Sequence, residues 1–362
     1  MRFNPFRFLR QAVFPSYLGV DIGTTSIKVV EVKHGKSRPR LVNYAYLDAS
    51  SYLARTNGAL HASTLKLFEE EVVELLARVI KELRPSTHEA LASLPIFSAF
   101  TTVLNFPQMS VSDLNKAIVF QARQYVPMPL KEVALDWMKV GEYEDEKGFL
   151  QQQILLISVP KEQIQKYRNI FQAVGLRLQT LEIESLSAVR SLTGMDPTPT
   201  LVVDIGSRST NIFFCEGGQL KFNRQSDYGG ASLTKAIVDG LHINVKRAEE
   251  LKREKGIAAS GAEGELSTIM LPHLDAIISE VKQAHYAYTT QFPAAQQIER
   301  LILTGGGANL RGIEQYFGRE FTIPIVKAAP LSQFEYPPAM EPLVGELNPL
   351  LSVALGLTLG RI

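Results

Sequence analysis

The chain has 362 residues and a formal charge of +1, so no whole-molecule field draws it to nucleic acid. That length exceeds one ordinary core and predicts two lobes. A hydrophobic content of 45% against 21% charged residues excludes a disordered chain.

The single cysteine, Cys215, excludes an internal disulfide and fits a reducing compartment; its apolar neighbours predict a buried, inert thiol. No run of 18 apolar residues is visible, so no membrane-spanning helix is expected. The N-terminal segment shows no small-residue cleavage site after an apolar core, and the expected compartment is the cytoplasm.

Residues 1–16 carry Arg2, Arg7 and Arg10. Asn4 and Pro5 read as a helix cap and first-turn pair, with Phe6, Leu9 and Val13 on one face. A short basic amphipathic helix of this kind can rest on an anionic membrane or pack on the first lobe. YLGVDIGTTSIKVVEVK (residues 17–33) reads as strand, small-residue turn and strand, with a third strand at 41–47. Residues 64–83 read as an amphipathic helix stopped by Pro85; Glu69, Glu70 and Glu71 suit its positive end. Residues 90–95 read as a short buried strand. From Phe97 the texture changes to strand, helix, strand, acidic turn (EYEDEKG), strand and helix, a compact α/β module. Strand and helix resume at 176–192, and TGMDPTPT (193–200) reads as a connector. The expected division is a leader at 1–16, a first lobe at 17–96 and 176–198, an inserted subdomain at 97–175 and a second lobe at 199–347. A C-terminal helix at 348–362 returns to the first lobe.

At residue 201 the pattern restarts. LVVDIGSRSTNIFFCEGG repeats YLGVDIGTTSIKVVEVKHG, with Asp204 on Asp21 and Gly206 on Gly23. Small residues at Gly23, Thr24, Thr25 and Ser26 let backbone N–H groups and hydroxyls approach a phosphate oxygen. An aspartate repels phosphate, so Asp21 and Asp204 suit a hydrated magnesium ion instead. Lys28, on the outgoing strand, can neutralise a phosphate. LILTGGGANLRGIEQYF runs an apolar strand into Gly305, Gly306 and Gly307, with a helix expected from Asn309 or Leu310. It lacks the Gly-Lys-Ser/Thr of a P-loop and the spacing of a dinucleotide fold. Gly229 and Gly230 before another helix are candidate ribose or phosphate contacts. Glu249 and Lys252, three apart on one helix, read either as a surface ion pair or as nucleotide contacts.

Hairpin, hairpin and glycine-rich wall, in that order, resemble the actin-like ATPase superfamily, an α/β fold of two RNase H-like lobes around a nucleotide cleft. Within it, FPQMSVSDLNKAIVFQARQYVPMPLKEVALDW and EIESLSAVR make the chain similar to the PilM family of type IV pilus assembly. That resemblance implies ATP and Mg2+ as ligands. It places a first phosphate loop on Asp21, Gly23, Thr24, Thr25 and Lys28, and a second on Asp204, Gly206, Ser207 and Ser209. The adenosine wall falls on Gly305, Gly306, Gly307 and Asn309. Glu184 falls where relatives orient an attacking water; otherwise it caps a helix or pairs between lobes. Arg208 is a departure, since a small residue is the simplest choice inside that loop.

The implied partner is the N-terminal cytoplasmic tail of PilN, an inner-membrane protein, held between inserted subdomain and first lobe. Pilus motor and platform components are implied as further partners, with ATP a structural or switching ligand. Two rival readings share the hairpins: a carbohydrate kinase, and an FtsA-type scaffold. The latter is expected to carry an amphipathic membrane helix beyond the position where this sequence ends in LTLGRI.

Overall fold

The computed structural model describes residues 15–35, 38–49, 69–257, 264–293 and 295–360. The amphipathic leader, except for its last two residues, and the first turn of the 64–83 helix lie outside the described residues. The chain opens with β1 (Ser16–Ile22), β2 (Ser26–Lys33) and β3 (Arg40–Asp48), followed by α1 (Glu69–Leu83) and β4 (Glu89–Leu94). β1 and β2 pair antiparallel, while β4 joins β1 in parallel. Leu18, Val20, Ile27, Val29 and Val30 are fully buried, as expected of strands covered on both faces. α1 turns Val72, Leu75, Leu76, Val79 and Leu83 inward at helical spacing.

The chain then leaves this sheet through β5 (Phe100–Pro107), α2 (Val111–Tyr125), β6 (Val133–Glu144), β7 (Leu150–Pro160) and α3 (Lys161–Ala173). It returns as β8 (Arg177–Ile183), which completes the first sheet in the order β3-β2-β1-β4-β8. The excursion makes its own antiparallel sheet, β5-β7-β6. Ser110 caps α2 by accepting the Asp113 N–H at 3.2 Å, and Leu114, Ile118 and Ala122 cover one face of that small sheet. α3 carries Tyr167, Ile170 and Phe171 back into the core of the first sheet.

α4 (Glu184–Leu192) leads into the second half. There follow β9 (Thr200–Ile205), β10 (Thr210–Glu216), β11 (Gln219–Ser226), α5 (Gly230–Leu241), α6 (Val245–Lys255) and α7 (Gly264–Gln291). β12 (Arg300–Thr304), α8 (Ile313–Glu320), β13 (Ile325–Lys327) and α9 (Val344–Leu359) complete it. The second sheet runs β11-β10-β9-β12-β13. In both large sheets three antiparallel strands are followed by two parallel ones, so the sequence repeat at Asp21 and Asp204 is a repeat of topology.

The small sheet touches the second half as well as the first. Val140, Leu155 and Ile157 join the core around β9–β11. Lys221 Nζ donates to the Val140 carbonyl at 2.6 Å, Gln153 Nε2 to the Gln291 carbonyl at 3.1 Å, and Thr101 Oγ1 to Asn223 Oδ1 at 2.8 Å.

Pro338–Leu359 is apolar enough over 22 residues to pass as a membrane span by length and composition, contrary to the expectation from the sequence. In the fold it is mostly a core segment. Leu347, Leu351, Ala354 and Leu355 on α9 pack with Val30, Val32 and Leu41. A Cβ on Gly356 would fall within the Ser187 carbonyl of α4, and one on Gly19 would collide with the Ala354 carbonyl. Ser191 Oγ donates to the Ser352 carbonyl at 2.6 Å, so α4 and α9 cross in direct contact.

Candidate functional site

Both Asp-Ile-Gly turns close in the same way. The Gly23 N–H donates to the Ser26 carbonyl at 2.8 Å, and the Gly206 N–H to the Ser209 carbonyl at 2.9 Å. Thr24, Thr25, Ser207, Arg208 and Ser209 are half-buried at the tips. Asp21 is buried beneath the first turn. Its Oδ2 accepts from Lys28 Nζ at 2.8 Å and its Oδ1 from Ser93 Oγ at 2.8 Å. Burial pulls the Lys28 ammonium down, but Asp21 and then Asp204 outweigh it and hold the group above the usual lysine range. Asp204 is half-buried; burial pushes its carboxyl up to about 6, with Lys28 opposing and Asp21 adding. One ammonium therefore bonds the first hairpin's aspartate and lies in the field of the second's.

Glu184 opens α4 in the field of the same two aspartates. Its Oε1 accepts the Ile96 N–H at 3.0 Å and Asn211 Nδ2 at 2.6 Å. Burial first, then Asp204 and Asp21, push its carboxyl up to about 8. Asn211 is absent from the sequence reading. It pairs with Asp204 across the β9–β10 ladder. The signal was a lone amide ahead of the apolar run Ile212–Cys215.

The glycine wall has a steric origin. Gly305 holds φ at +79°, and a Cβ there would collide with the Asp204 carboxylate and the Ile205 carbonyl; one on Gly307 would strike the Ile205 side chain. The end of β12 thus lies directly against the end of β9. The helix expected from Asn309 or Leu310 begins instead at Ile313, because Gly306–Asn309 form a 3₁₀ turn and Gly312, at φ +88°, redirects the chain first. Asn309 Nδ2 donates to the Glu346 carbonyl at 3.0 Å and ties the wall to α9.

Gly229 and Gly230 abut the second hairpin. The Gly230 N–H donates to the Gly206 carbonyl at 2.9 Å and the Ala231 N–H to Ser207 at 2.6 Å, so these donors face the loop itself. Glu249 and Lys252 are paired at 2.6 Å, with the lysine side chain only 12% exposed, which removes the surface-pair reading. Lys252 also donates to the Gly230 carbonyl at 3.0 Å and to Thr234 Oγ1 at 2.8 Å. Arg253 donates to Glu249 at 2.9 Å and reaches Asp48, at the end of β3, at 2.8 Å, so α6 touches the first half across the cleft.

The structure thus brings Asp21, Lys28, Glu184 and Asp204 together between the two turns, with Gly305–Gly307 behind. Among the described residues, no three His, Cys, Asp or Glu side chains are grouped to ligate a metal directly. Cys215 lies away from this cluster; burial pushes its thiol up to about 12.

A cavity of about 480 Å³ lies beside the first turn. Gly23 and Thr24 form one wall, Val126–Met128 of the small sheet's module another, and Lys166, Tyr167 and Ile170 of α3 a third. Pro95 and Phe97–Phe100, where the chain departs from the first sheet, also line it.

Residues 19–362 match the family model described as type IV pilus assembly protein PilM. The cell division protein FtsA of Enterococcus hirae is 22% identical over 343 residues, covering 82% of this chain and 74% of its own. A solved PilM-PilN type IV pilus biogenesis complex contains a chain of TM-score 0.78 at 22% identity, covering 95% of this chain and 98% of that one. MreB5 of Spiroplasma citri bound to AMPPNP gives a TM-score of 0.55 at 14% identity, covering 96% of each chain. These likenesses establish an actin-like fold of two lobes about a cleft. With the family model spanning nearly its whole length, the chain belongs to the PilM family of type IV pilus assembly proteins.

Proposed function

We propose that this chain binds Mg-ATP between its two hairpins and serves as an adaptor at the cytoplasmic face of the inner membrane. The observation that carries the reading is Lys28, a single ammonium set against Asp21 and in the field of Asp204. A polyanion with its cation, entering between two such turns, would meet small-residue tips on both sides.

The donor set fits a hydrated ion. Asp21 already accepts from Lys28 and Ser93, so it and Asp204 would hold magnesium through water, not as direct ligands. The ion would supply charge neutralisation for the phosphates. Thr24, Thr25, Ser207 and Ser209 offer hydroxyls to phosphate oxygens, while Gly305–Gly307 offer a flat backbone wall to the nucleoside. Glu249 and Lys252 reach the site through the Gly230 turn. Calorimetry should show Mg-ATP binding by the native chain and at least a tenfold weaker Kd for Asp204→Ala with the fold intact; unchanged affinity would remove the site assignment.

The cavity beside the first turn suits an extended peptide with apolar anchors; the solved PilM-PilN complex supports a PilN protein as partner, and its N-terminal cytoplasmic tail is the occupant proposed here. In this role the chain joins that tail to the pilus motor and platform. A synthetic PilN N-terminal peptide should be retained by the immobilised chain. An FtsA-type polymer is the second reading, favoured by the similarity to FtsA; ATP-dependent sedimentation would select it.

A further inference from the structure

We infer that Tyr46 is a nucleotide-binding residue of the first half, its hydroxyl donating to an oxygen of the phosphate chain. This rests on the ATP reading above. Across β1, β2 and β3, Asp21 pairs with Lys28 and Lys28 with Tyr46, so the three side chains stand in one row on one face of the sheet. The first two are bonded to each other at 2.8 Å. Glu184 follows β8 at the opposite edge of the same sheet, so it and Tyr46 flank that pair.

Tyr46 is left out of the core. Tyr44, two residues earlier on the same face, packs against the cluster that holds Val30, Leu351 and Leu355, whereas Tyr46 is 39% exposed. Its hydroxyl has no hydrogen-bond partner among the described residues. Four charges act on it: Lys28 and Asp48 of the first half, Glu249 and Arg253 of α6 in the second. Arg253 and Asp48 bridge the cleft at 2.8 Å, so the phenol stands where the two halves come within one ion pair of each other. Burial, then Asp48, raise it above the ordinary tyrosine range, with Lys28 and Arg253 opposing. At neutral pH it keeps its proton and can donate it.

A phosphate chain between the two turns brings several oxygens that accept hydrogen bonds. Lys28 supplies an ammonium, but Asp21 shares it. A hydroxyl one strand further out adds a second donor without adding charge. It lies in the field of Glu249, whose partner Lys252 reaches the second turn through the Gly230 carbonyl. A tyrosine kept only for the strand would lose nothing as phenylalanine, because its hydroxyl bonds to no other side chain. A tyrosine kept for the ligand loses its role with that one oxygen.

The test compares the native full chain with Tyr46→Phe by calorimetry, using the magnesium complexes of ATP, 2′-deoxy-ATP and 3′-deoxy-ATP, beside thermal melting without nucleotide. Tyr46→Phe should weaken Mg-ATP binding about tenfold, the low end for a lost hydrogen bond to a charged acceptor. Without nucleotide it should melt within about 2 °C of the native chain, as an exposed substitution does. Both deoxy nucleotides should show the same tenfold loss, because the phosphate chain is common to all three. An unchanged Mg-ATP Kd would overturn the inference. So would a melting temperature lowered by more than about 5 °C, which marks a structural role. A loss that vanishes with either deoxy nucleotide would place the hydroxyl on the ribose and overturn the phosphate assignment. A native chain that binds none of the three nucleotides would instead defeat the ATP reading, and this inference with it.

Discussion

Raising the pH should loosen the nucleotide-free protein, and Glu184 is the group to watch. In the native chain burial and the two hairpin aspartates push its carboxyl up to about 8 from an ordinary 4.5. Unfolding releases it to the ordinary value. Between those two limits the folded state keeps a proton that the unfolded chain has given up, so stability falls as pH rises through the window. Below 4.5 both states are protonated and no cost is felt; above 8 both are ionised and the cost is complete. At about 1.4 kcal/mol per pKa unit, the loss is on the order of 5 kcal/mol. Asp204 adds a smaller loss of the same sign between 3.8 and about 6. Urea denaturation from pH 5 to 9 measures it: the native midpoint should fall up to pH 8 and then level. Glu184→Gln cannot ionise, so most of the fall above pH 6 should disappear in that variant. A Glu184→Gln curve parallel to the native one between pH 6 and 8 would refute the reasoning.

Gly356→Ala should lower stability by about 3 kcal/mol, the upper range for overpacking, since its Cβ has no room against Ser187; thermal melting reads this directly. Met128 is 37% exposed at the cavity, so Met128→Asp should change stability by less than about 0.5 kcal/mol. The same variant should lose the PilN peptide in a pull-down while keeping Mg-ATP affinity.

The strands and the hairpins were legible because their signals are local. An apolar run, an Asp-Ile-Gly turn and a second apolar run repeat at Asp21 and Asp204, and the two sheets repeat in the same way. The glycine-rich segment was legible as a turn but not in its cause. Gly305 and Gly307 are demanded by the approach of β12 to Asp204 and Ile205, a contact between segments about a hundred residues apart. Lys28 illustrates the same limit: spacing placed it near phosphates, while only the fold shows it bonded to Asp21. Asn211 went unseen because one amide in a strand has no pattern of its own until Glu184 is found against it. The cavity was expected only as a groove of unnamed residues, since its lining comes from several separated segments.

The small sheet carries a mechanical consequence. It is continuous in chain with the first half, through Pro95–Phe100 and α3, yet Lys221 and Gln291 fasten it to the second. With the α4–α9 crossing and the Arg253–Asp48 ion pair as further ties, the two halves and the small sheet make a closed linkage. A hinge with one joint opens freely; a closed triangle opens only if a side slips. A load applied to the small sheet is divided between both halves, and any swing of the halves has to shear the Lys221–Val140 and Gln153–Gln291 bonds. The insertion works as a brace bolted by a few polar contacts and by the apolar side chains of Val140, Leu155 and Ile157.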